Sequence, residues 1–587
     1  MKNILNRRAS FKRFQKFTTI YVLLFVVFFC HCTTKVDSTE IEVRVNQVGY
    51  PVTSQKLVAV VNSEIEEFSI INENNEVVYS DTLTAPEFWD KSEESVSIAD
   101  FSDLTISGFY RLKIGDMISD EFEIKNNIYS NLSKASVRAF YFNRASTNIH
   151  LEFGGEYTRE PGHPDTTVVV HSSAASKERP AGTTLSSPQG WYDAGDYNKY
   201  IVNSGITTFT LLRTFEDSKD FYSDNKLGIP EGRNEIPDLL DEILWNLRWM
   251  RTMQDPNDGG VYHKLTTANF ESFVSPGEAT STRYVVAKGT AATLDFAAIM
   301  AYASRIYKPY DSTLAGDYLS ASRYAFDWAV ENPNVEFKNP KGEDGFPDVV
   351  TGEYGDKNFE DEFFWAASEL FVTTRDSLFL DILDIRKRSF AQPSWPNVGS
   401  LGLITLARNE NDLKDMAKAK LESLANNYAD LSMNSPYRIS LDFFQWGSNS
   451  DILNQGMIML QAFSWTGDQK YLNGAQSALD YVLGKNATGY CFVTGFGSKY
   501  PMNLHHRVAE SDDATGPIPG FIAGGPNPNN AKQDCGESEY SSLLPAKCYV
   551  DAVCSYSTNE IAINWNAPLA YVSSTLNTIY TNENSPK

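Results

Sequence analysis

Trp191-Tyr-Asp-Ala-Gly-Asp196 sets two carboxylates three positions apart around a glycine. Gly195 permits a tight turn, so Asp193 and Asp196 point into one space just before a helix expected over 197–216. Two carboxylates held this close bind and orient a water, one of them accepting its proton. A helix N-cap at Asp196 and a turn residue at Asp193 account for the same hexapeptide. A third carboxyl, Glu560, opens the last expected helix (559–580) with Tyr556, Ile561 and Trp565 around it. Against aromatic walls a carboxyl is disfavoured as an anion and stays protonated near neutral pH, as a general acid must. A first-turn glutamate favoured by the helix dipole is the bland alternative. The adjacent His505 and His506 with Arg507 offer donors for sugar hydroxyls, and equally read as a metal pair or a surface patch.

These residues need a scaffold that brings distant segments together. Residues 40–127 read as a small β domain. Tyr110, Leu112 and Ile114 alternate with Phe109, Arg111 and Lys113, the period of a half-buried strand. Lys56–Val61 and Glu76–Tyr79 suggest further strands, the second preceded by a turn at Asn72–Asn75, and several short strands favour a sandwich. From about residue 130 the period becomes helical, as in the stripe Ile236, Leu239, Leu240, Ile243, Leu244, Leu247 and Met250. Helices are also expected around 131–147, 288–307, 313–330, 360–373, 399–428, 448–465 and 472–483. Long irregular stretches over 150–195, 255–285, 333–358 and 487–557 carry the candidate residues, as functional loops do.

The 587-residue chain is too long for one ordinary core. Its 75 acidic and 51 basic residues leave a net charge of -24, which repels phosphate backbones and excludes nucleic acid as a partner. Lys2, Arg7, Arg8, Lys12, Arg13 and Lys16 precede the apolar run Tyr21–Cys30, and residues 1–35 read as an export signal. Cys30 and Cys32 sit where a bacterial lipoprotein is cleaved and acylated, so the chain is expected to be exported, and held at the cell surface or in the periplasm if lipid-anchored. Cys491, Cys535, Cys548 and Cys554 allow one or two disulfides in an oxidising compartment, with the pairing open.

Taken together, these blocks resemble glycoside hydrolase family 9 from about Val45 to Leu576. Val45-Asn-Gln-Val-Gly-Tyr-Pro51 looks like the opening of the family's N-terminal module. Trp191–Asp196, Leu483–Asn486, Val493–Gly497, His505–Arg507, Gly524–Pro528 and Tyr549–Ala567 look like its catalytic blocks. The resemblance implies an immunoglobulin-like β-sandwich (40–127) followed by an all-α (α/α)6 barrel (130–582). It implies inverting hydrolysis of β-1,4-glucosidic bonds in cellulose-like glucans, with Asp196 as general base, Asp193 holding the water and Glu560 as general acid. A ring of helical hairpins brings its last hairpin beside its first, and an inverting pair needs a gap of roughly 6.5–9.5 Å. His505 and Arg507 match substrate- and carboxylate-contacting positions, and Asp551 a residue organising the acid's surroundings. Tyr556 and Trp446 are candidates for sugar stacking, or core. Exo action, a xyloglucan, mixed-linkage glucan or glucosamine-polymer substrate, and a non-catalytic glycan-binding protein are the other readings. The last would lack the base or the acid, and this chain has both.

Hydrolysis of this type needs no cofactor. Some relatives bearing the module hold zinc with two Cys and two His. This chain has Ala145 and Gly162 in the matching region beside His163 and His171, so a structural zinc is expected to be absent. Family members also bind calcium, and Asp361 and Glu362 are the candidate ligands, although an exposed acidic helix start explains them equally.

Overall fold

A computed structural model describes residues 41–223, 226–511 and 514–583. The expected export signal and the candidate lipidation sites Cys30 and Cys32 lie outside the described residues.

Nine short strands come first: β1 (Glu42–Arg44), β2 (Leu57–Val61), β3 (Glu67–Asn72), β4 (Val77–Thr82), β5 (Glu87–Trp89), β6 (Glu94–Asp100), β7 (Gly108–Ile114), β8 (Met117–Ile118) and β9 (Phe122–Ile124). They pair antiparallel in two sheets, β1-β2-β6-β5 and β4-β3-β7-β8, with β9 following β8 along the edge of β7 opposite β3. The alternation of β7 holds, with Tyr110, Leu112 and Ile114 buried between the sheets. β2 is different: every residue of Leu-Val-Ala-Val-Val is buried. Val58 and Val60 enter the sandwich core, while Leu57, Ala59 and Val61 enter the core of the helical part. A strand covered on both faces loses the polar alternation of a half-exposed one. The Val45–Pro51 block is the joint between the two parts. Asn46 Nδ2 donates to Asp480 Oδ1 at 2.8 Å, and Gln47 N to the Leu483 carbonyl at 2.9 Å.

The helical part holds thirteen helices among the described residues: α1 (Ser130–Phe142), α2 (Leu151–Gly154), α3 (Ile201–Asp217), α4 (Asp238–Thr252), α5 (Thr290–Tyr307), α6 (Ser312–Glu331), α7 (Glu360–Thr374), α8 (Gly399–Arg408), α9 (Lys414–Asn434), α10 (Ser448–Thr466), α11 (Gln469–Val482), α12 (Arg507–Glu510) and α13 (Ile563–Glu583). α3 packs on α5, α5 on α7, α7 on α8, α8 on α9, α9 on α10, α10 on α13, and α13 back on α3. The last long helix therefore lies beside the first of this circuit.

Three expected elements differ. The helix expected over 399–428 is two helices, because Asn411 caps the break: its amide donates to Leu406 O and its carbonyl accepts Leu413 N. Short polar side chains compete with helical backbone bonds in this way. The helix expected from 197 begins at Ile201, because Lys199–Tyr200 pair with Lys264–Leu265. That pair belongs to a five-stranded sheet, four of whose strands lie in stretches read as irregular: β10 (Val168–Val170), β11 (Thr184–Leu185), β12 (Lys199–Tyr200, at the start of the expected helix), β13 (Lys264–Thr266) and β14 (Tyr284–Val285). Strands of two or three residues carry too few positions for a period to register. The third difference concerns Glu560, which precedes the last helix by three residues.

Candidate active site

Trp191 is anchored first. Its Nε1 donates to Glu242 Oε1 at 2.8 Å, and Glu242 is paired with buried Arg144 at 3.0 Å. Beyond it, Asp165 binds Lys199 Nζ at 2.7 Å and Arg283 Nε at 3.2 Å, with all three side chains almost fully buried. Burial alone would raise the Asp165 carboxyl, but the Arg283 and Lys199 charges hold it below its usual value. Asp165→Asn would leave two buried cations facing a neutral group. A loss of about 3–5 kcal/mol in folding stability is expected, read as a lower denaturant midpoint.

Between these anchors the turn presents its carboxyls inward. Asp193 accepts from Asn203 Nδ2 at 3.0 and 2.9 Å, and from the Tyr354 hydroxyl at 3.1 Å. Asp196 Oδ2 accepts from Asn198 Nδ2 at 2.5 Å and from the Tyr200 hydroxyl at 3.1 Å. Gly195 does not lie at positive φ. A Cβ there would come within 2.2 Å of His505 O and 2.9 Å of Glu560 Oε1. Close approach, not turn conformation, demands the glycine.

Glu560 sits in extended chain bridged to His505, not in a helix. Its carbonyl accepts Gly524 N at 2.9 Å, and its Oε1 accepts Gly195 N at 3.2 Å. Ile563 N donates to Asp193 O at 2.8 Å, so the two acidic segments are stitched together directly. The three carboxyls cannot all be ionised cheaply at this spacing. Burial, then the Asp196 charge, pushes Glu560 well above the carboxylate range. Asp193 is pushed well up by burial and by Asp196, against the donors Asn203 and Tyr354. Burial raises Asp196 as well, but Arg507, Asn198 and Tyr200 oppose it. Of the three, Asp196 has the charge and donors that most oppose its burial, while Glu560 and Asp193 are pushed furthest toward the protonated form.

The histidine pair divides its work. His505 Nδ1 donates to the Val553 carbonyl at 2.6 Å, which leaves Nε2 as the acceptor, and burial lowers its pKa. His506 is turned into the core, its Nε2 donating to Asn143 Oδ1 at 3.1 Å. Arg507 donates to Gly195 O and Glu271 O, both at 2.7 Å. Asp551 spends its oxygens on the protein, accepting Met502 N at 2.9 Å, Asn503 N at 2.8 Å and Asn559 Nδ2 at 3.1 Å. It braces the segments that lead to His505 and Glu560. Trp446 is 44% exposed and lies 5.4 Å from the Tyr556 ring, so it is not core. Trp446 lines a cleft of about 480 Å³ whose walls also include Tyr354, Trp395, Trp565 and Glu560.

Sequence reasoning passed over Tyr200, Tyr354, Lys264 and Trp395. Lys264 Nζ donates to Asn339 Oδ1 at 2.7 Å, Thr351 Oγ1 at 2.9 Å and Gly352 O at 2.6 Å, which holds the segment that delivers Tyr354 to Asp193. A lysine beside His263 in a short loop strand gave no signal by itself.

Of the metal expectations, the zinc region does not fit the ion. A Cβ at Gly162 would lie 2.3 Å from Pro276 O, and His171 spends its ring nitrogens on Ser173 Oγ and Pro347 O. Asp361 and Glu362 open α7, but Glu362 is buried, not on an exposed helix start. Asp361 Oδ2 accepts Val398 N at 2.7 Å. Glu362 Oε2, Asp356 Oδ2 and both Asp295 carboxyl oxygens are buried without a partner. No three His, Cys, Asp or Glu side chains among the described residues are gathered closely enough to form a metal site as they stand. Among the described residues Cys535 and Cys554 form a disulfide, and Cys491 and Cys548 are buried free thiols.

Buried carboxyls from two distant segments meet here, Glu560 at an aromatic-lined cleft and Asp193 and Asp196 in the adjoining turn, which is the equipment of a glycoside hydrolase. The profile of glycosyl hydrolase family 9 matches residues 129–573, and that of the cellulase N-terminal Ig-like domain residues 38–119. The chain belongs to glycosyl hydrolase family 9, an enzyme family whose hydrolysis requires no cofactor. It is similar to a xyloglucan-specific endo-β-1,4-glucanase of Bacteroides ovatus, 40% identical over 557 residues, which cover 92% of this chain and 94% of that protein. Endoglucanase D of Acetivibrio thermocellus is 33% identical over 560 residues, 93% of this chain and 84% of the relative. The solved structure of a Bacteroides ovatus family 9 enzyme superposes with a TM-score of 0.85 at 39% identity, covering 92% of this chain and 99% of that one.

Proposed function

We propose that this enzyme is an endo-acting β-1,4-glucanase that hydrolyses its substrate in one step with inversion. The observation that carries the reading is the facing of Glu560 Oε1 and the Asp193–Asp196 turn, 3.2 Å from Gly195 N, at an aromatic-lined cleft. Asp196, the carboxylate, takes a proton from a water that Asp193 helps to hold. Glu560, kept protonated by burial, gives its proton to the departing glycosidic oxygen. The His505 Nε2 and the Arg507 guanidinium complete the polar side of the site. Endo action is tested by viscosity against reducing ends on carboxymethylcellulose: a random cutter lowers viscosity long before sugar ends accumulate, and an exo enzyme does the reverse.

Xyloglucan is the second reading for the preferred substrate, favoured by the 40% identity to a xyloglucan-specific relative over most of both chains. A kcat/KM on tamarind xyloglucan above that on unbranched glucan would select it.

The helical circuit is read as an (α/α)6 barrel with α3, α5, α7, α8, α10 and α13 inside. The 3-10 turns Ser377–Phe379 and Ile385–Lys387 stand where one outer helix belongs. The chain is read as a leader over 1–35, a sandwich over 40–127 and a catalytic part over 130–582. An exported enzyme accords with the disulfide, since such bonds persist in oxidising compartments. Calcium is proposed to draw together Asp295, Asp356, Asp361 and Glu362, an all-oxygen donor set whose orphaned oxygens call for a cation. Chelation by EGTA is expected to lower the melting temperature by several degrees and added Ca²⁺ to restore it; an unchanged melt refutes the ion.

A further inference from the structure

Beyond the cleft, the rings of Phe270 and Phe273 stand 48% and 39% exposed on the loop that follows β13. Their backbone is not loose. Arg507 Nε holds Glu271 O at 2.7 Å, and the Tyr197 hydroxyl holds Val274 O at 2.7 Å. Ser281 N donates to Glu271 Oε1 at 3.0 Å across the loop. Both anchors, Arg507 and Tyr197, adjoin the Asp193–Asp196 turn. The rings are also oriented. The Arg507 guanidinium lies 4.8 Å from the Phe273 centroid and 5.7 Å from that of Phe270. Phe273 meets the His505 ring edge-on, 5.2 Å between centroids. From His505 the row continues to Tyr556 at 6.0 Å, and from Tyr556 to Trp446 at 5.4 Å. Trp446 lines the cleft; the two phenylalanines form the other end of the same row.

Apolar rings fixed in water are costly unless something covers them, and adjoining exposed rings mark a binding surface. Continuity with the catalytic groups selects the occupant. A β-glucan chain presents flat faces of C–H groups that pack on aromatic rings, with hydroxyls at their edges for the guanidinium. We propose that Phe270 and Phe273 form a sugar-stacking platform that extends the substrate track past His505, at the opposite end of the aromatic row from Trp446. This rests on the glucanase reading above. The platform favours long chains over short ones, because only a long chain spans it and the cleft together.

The test compares the wild type with Phe270→Ala/Phe273→Ala on cellotriose through cellohexaose. Both rings stand at the surface and belong to no core cluster, so a melting temperature changed by no more than a few degrees is expected. The loss in kcat/KM should grow with chain length, reaching about tenfold on cellohexaose and carried mainly by KM. An equal loss at every length would mark damage to the catalytic centre, and no loss would mean that the rings touch no sugar; either overturns the platform. Self-association of the wild type that the variant lacks, with unchanged kinetics, would assign the rings to a contact between copies instead. A wild type that hydrolyses neither this series nor xyloglucan oligosaccharides overturns the glucanase reading and the platform with it.

Discussion

Asp196→Asn is expected to lower turnover on every β-glucan by roughly a thousandfold or more, with substrate binding retained. Asp196 Oδ2 accepts from Asn198 Nδ2 and the Tyr200 hydroxyl. An asparagine would turn its amide oxygen to those two donors, so its NH2 would face the water. A donor there cannot take the water's proton. Calorimetry with a cello-oligosaccharide should give a Kd close to that of the wild type. The variant should also fold at least as firmly at neutral pH. Burial raises the Asp196 pKa, so the native state favours the protonated form, and that favour is lost as pH rises through the raised value. Removing the charge removes the loss. A variant with more than a tenth of wild-type turnover would show that the base lies elsewhere.

Glu560→Gln should have its effect through the leaving group. Glutamine keeps the acceptor for Gly195 N and loses the proton. Loss on natural glucans is expected at about a hundredfold to ten-thousandfold. On an aryl cellobioside whose phenol leaves without protonation, the loss should shrink to about tenfold or less. The pH profile offers a second readout. Burial and the neighbouring Asp196 and Asp193 charges raise the Glu560 pKa, so the acid stays protonated to higher pH than an ordinary carboxyl. The alkaline limb of kcat on a natural glucan reports its ionisation, and on the aryl substrate the variant should lack that limb. Equal losses on both substrates would remove Glu560 from the role of acid.

Much of the site was legible because its residues form contiguous blocks. Asp193 and Asp196 share a hexapeptide, and the surroundings of Glu560 fall within nineteen consecutive positions. The strand period of β7 and the stripe on α4 were legible for the same reason: one face of each is repeated often enough to register. What escaped depends on separations the sequence does not encode locally. Tyr354 reaches Asp193 from 161 positions away, and Lys264 holds Tyr354's segment from 88 positions before Gly352. The short strands β10, β11, β13 and β14 were lost in stretches read as irregular, and β12 in the start of an expected helix. Glu560 was read as opening the last helix, three positions before the helix begins. The chain there is extended instead, since Asn559 Nδ2 is drawn to Asn503 O and Glu560 O to Gly524 N. Gly195 was rightly singled out for the wrong reason, because crowding by a segment at the far end of the chain cannot be seen from its neighbours. The two phenylalanines of the platform carry no local pattern at all, and only their exposure beside His505 draws notice.

The central claim is a single displacement between Asp196 and Glu560, and the anomer first released tests it most directly. Proton NMR of residues 36–587 acting on cellopentaose would follow the new reducing end before mutarotation. The α-anomer appearing first is the predicted result. The β-anomer appearing first would mean retention through a covalent intermediate, and would contradict the assignment of Asp196 as base and Glu560 as acid.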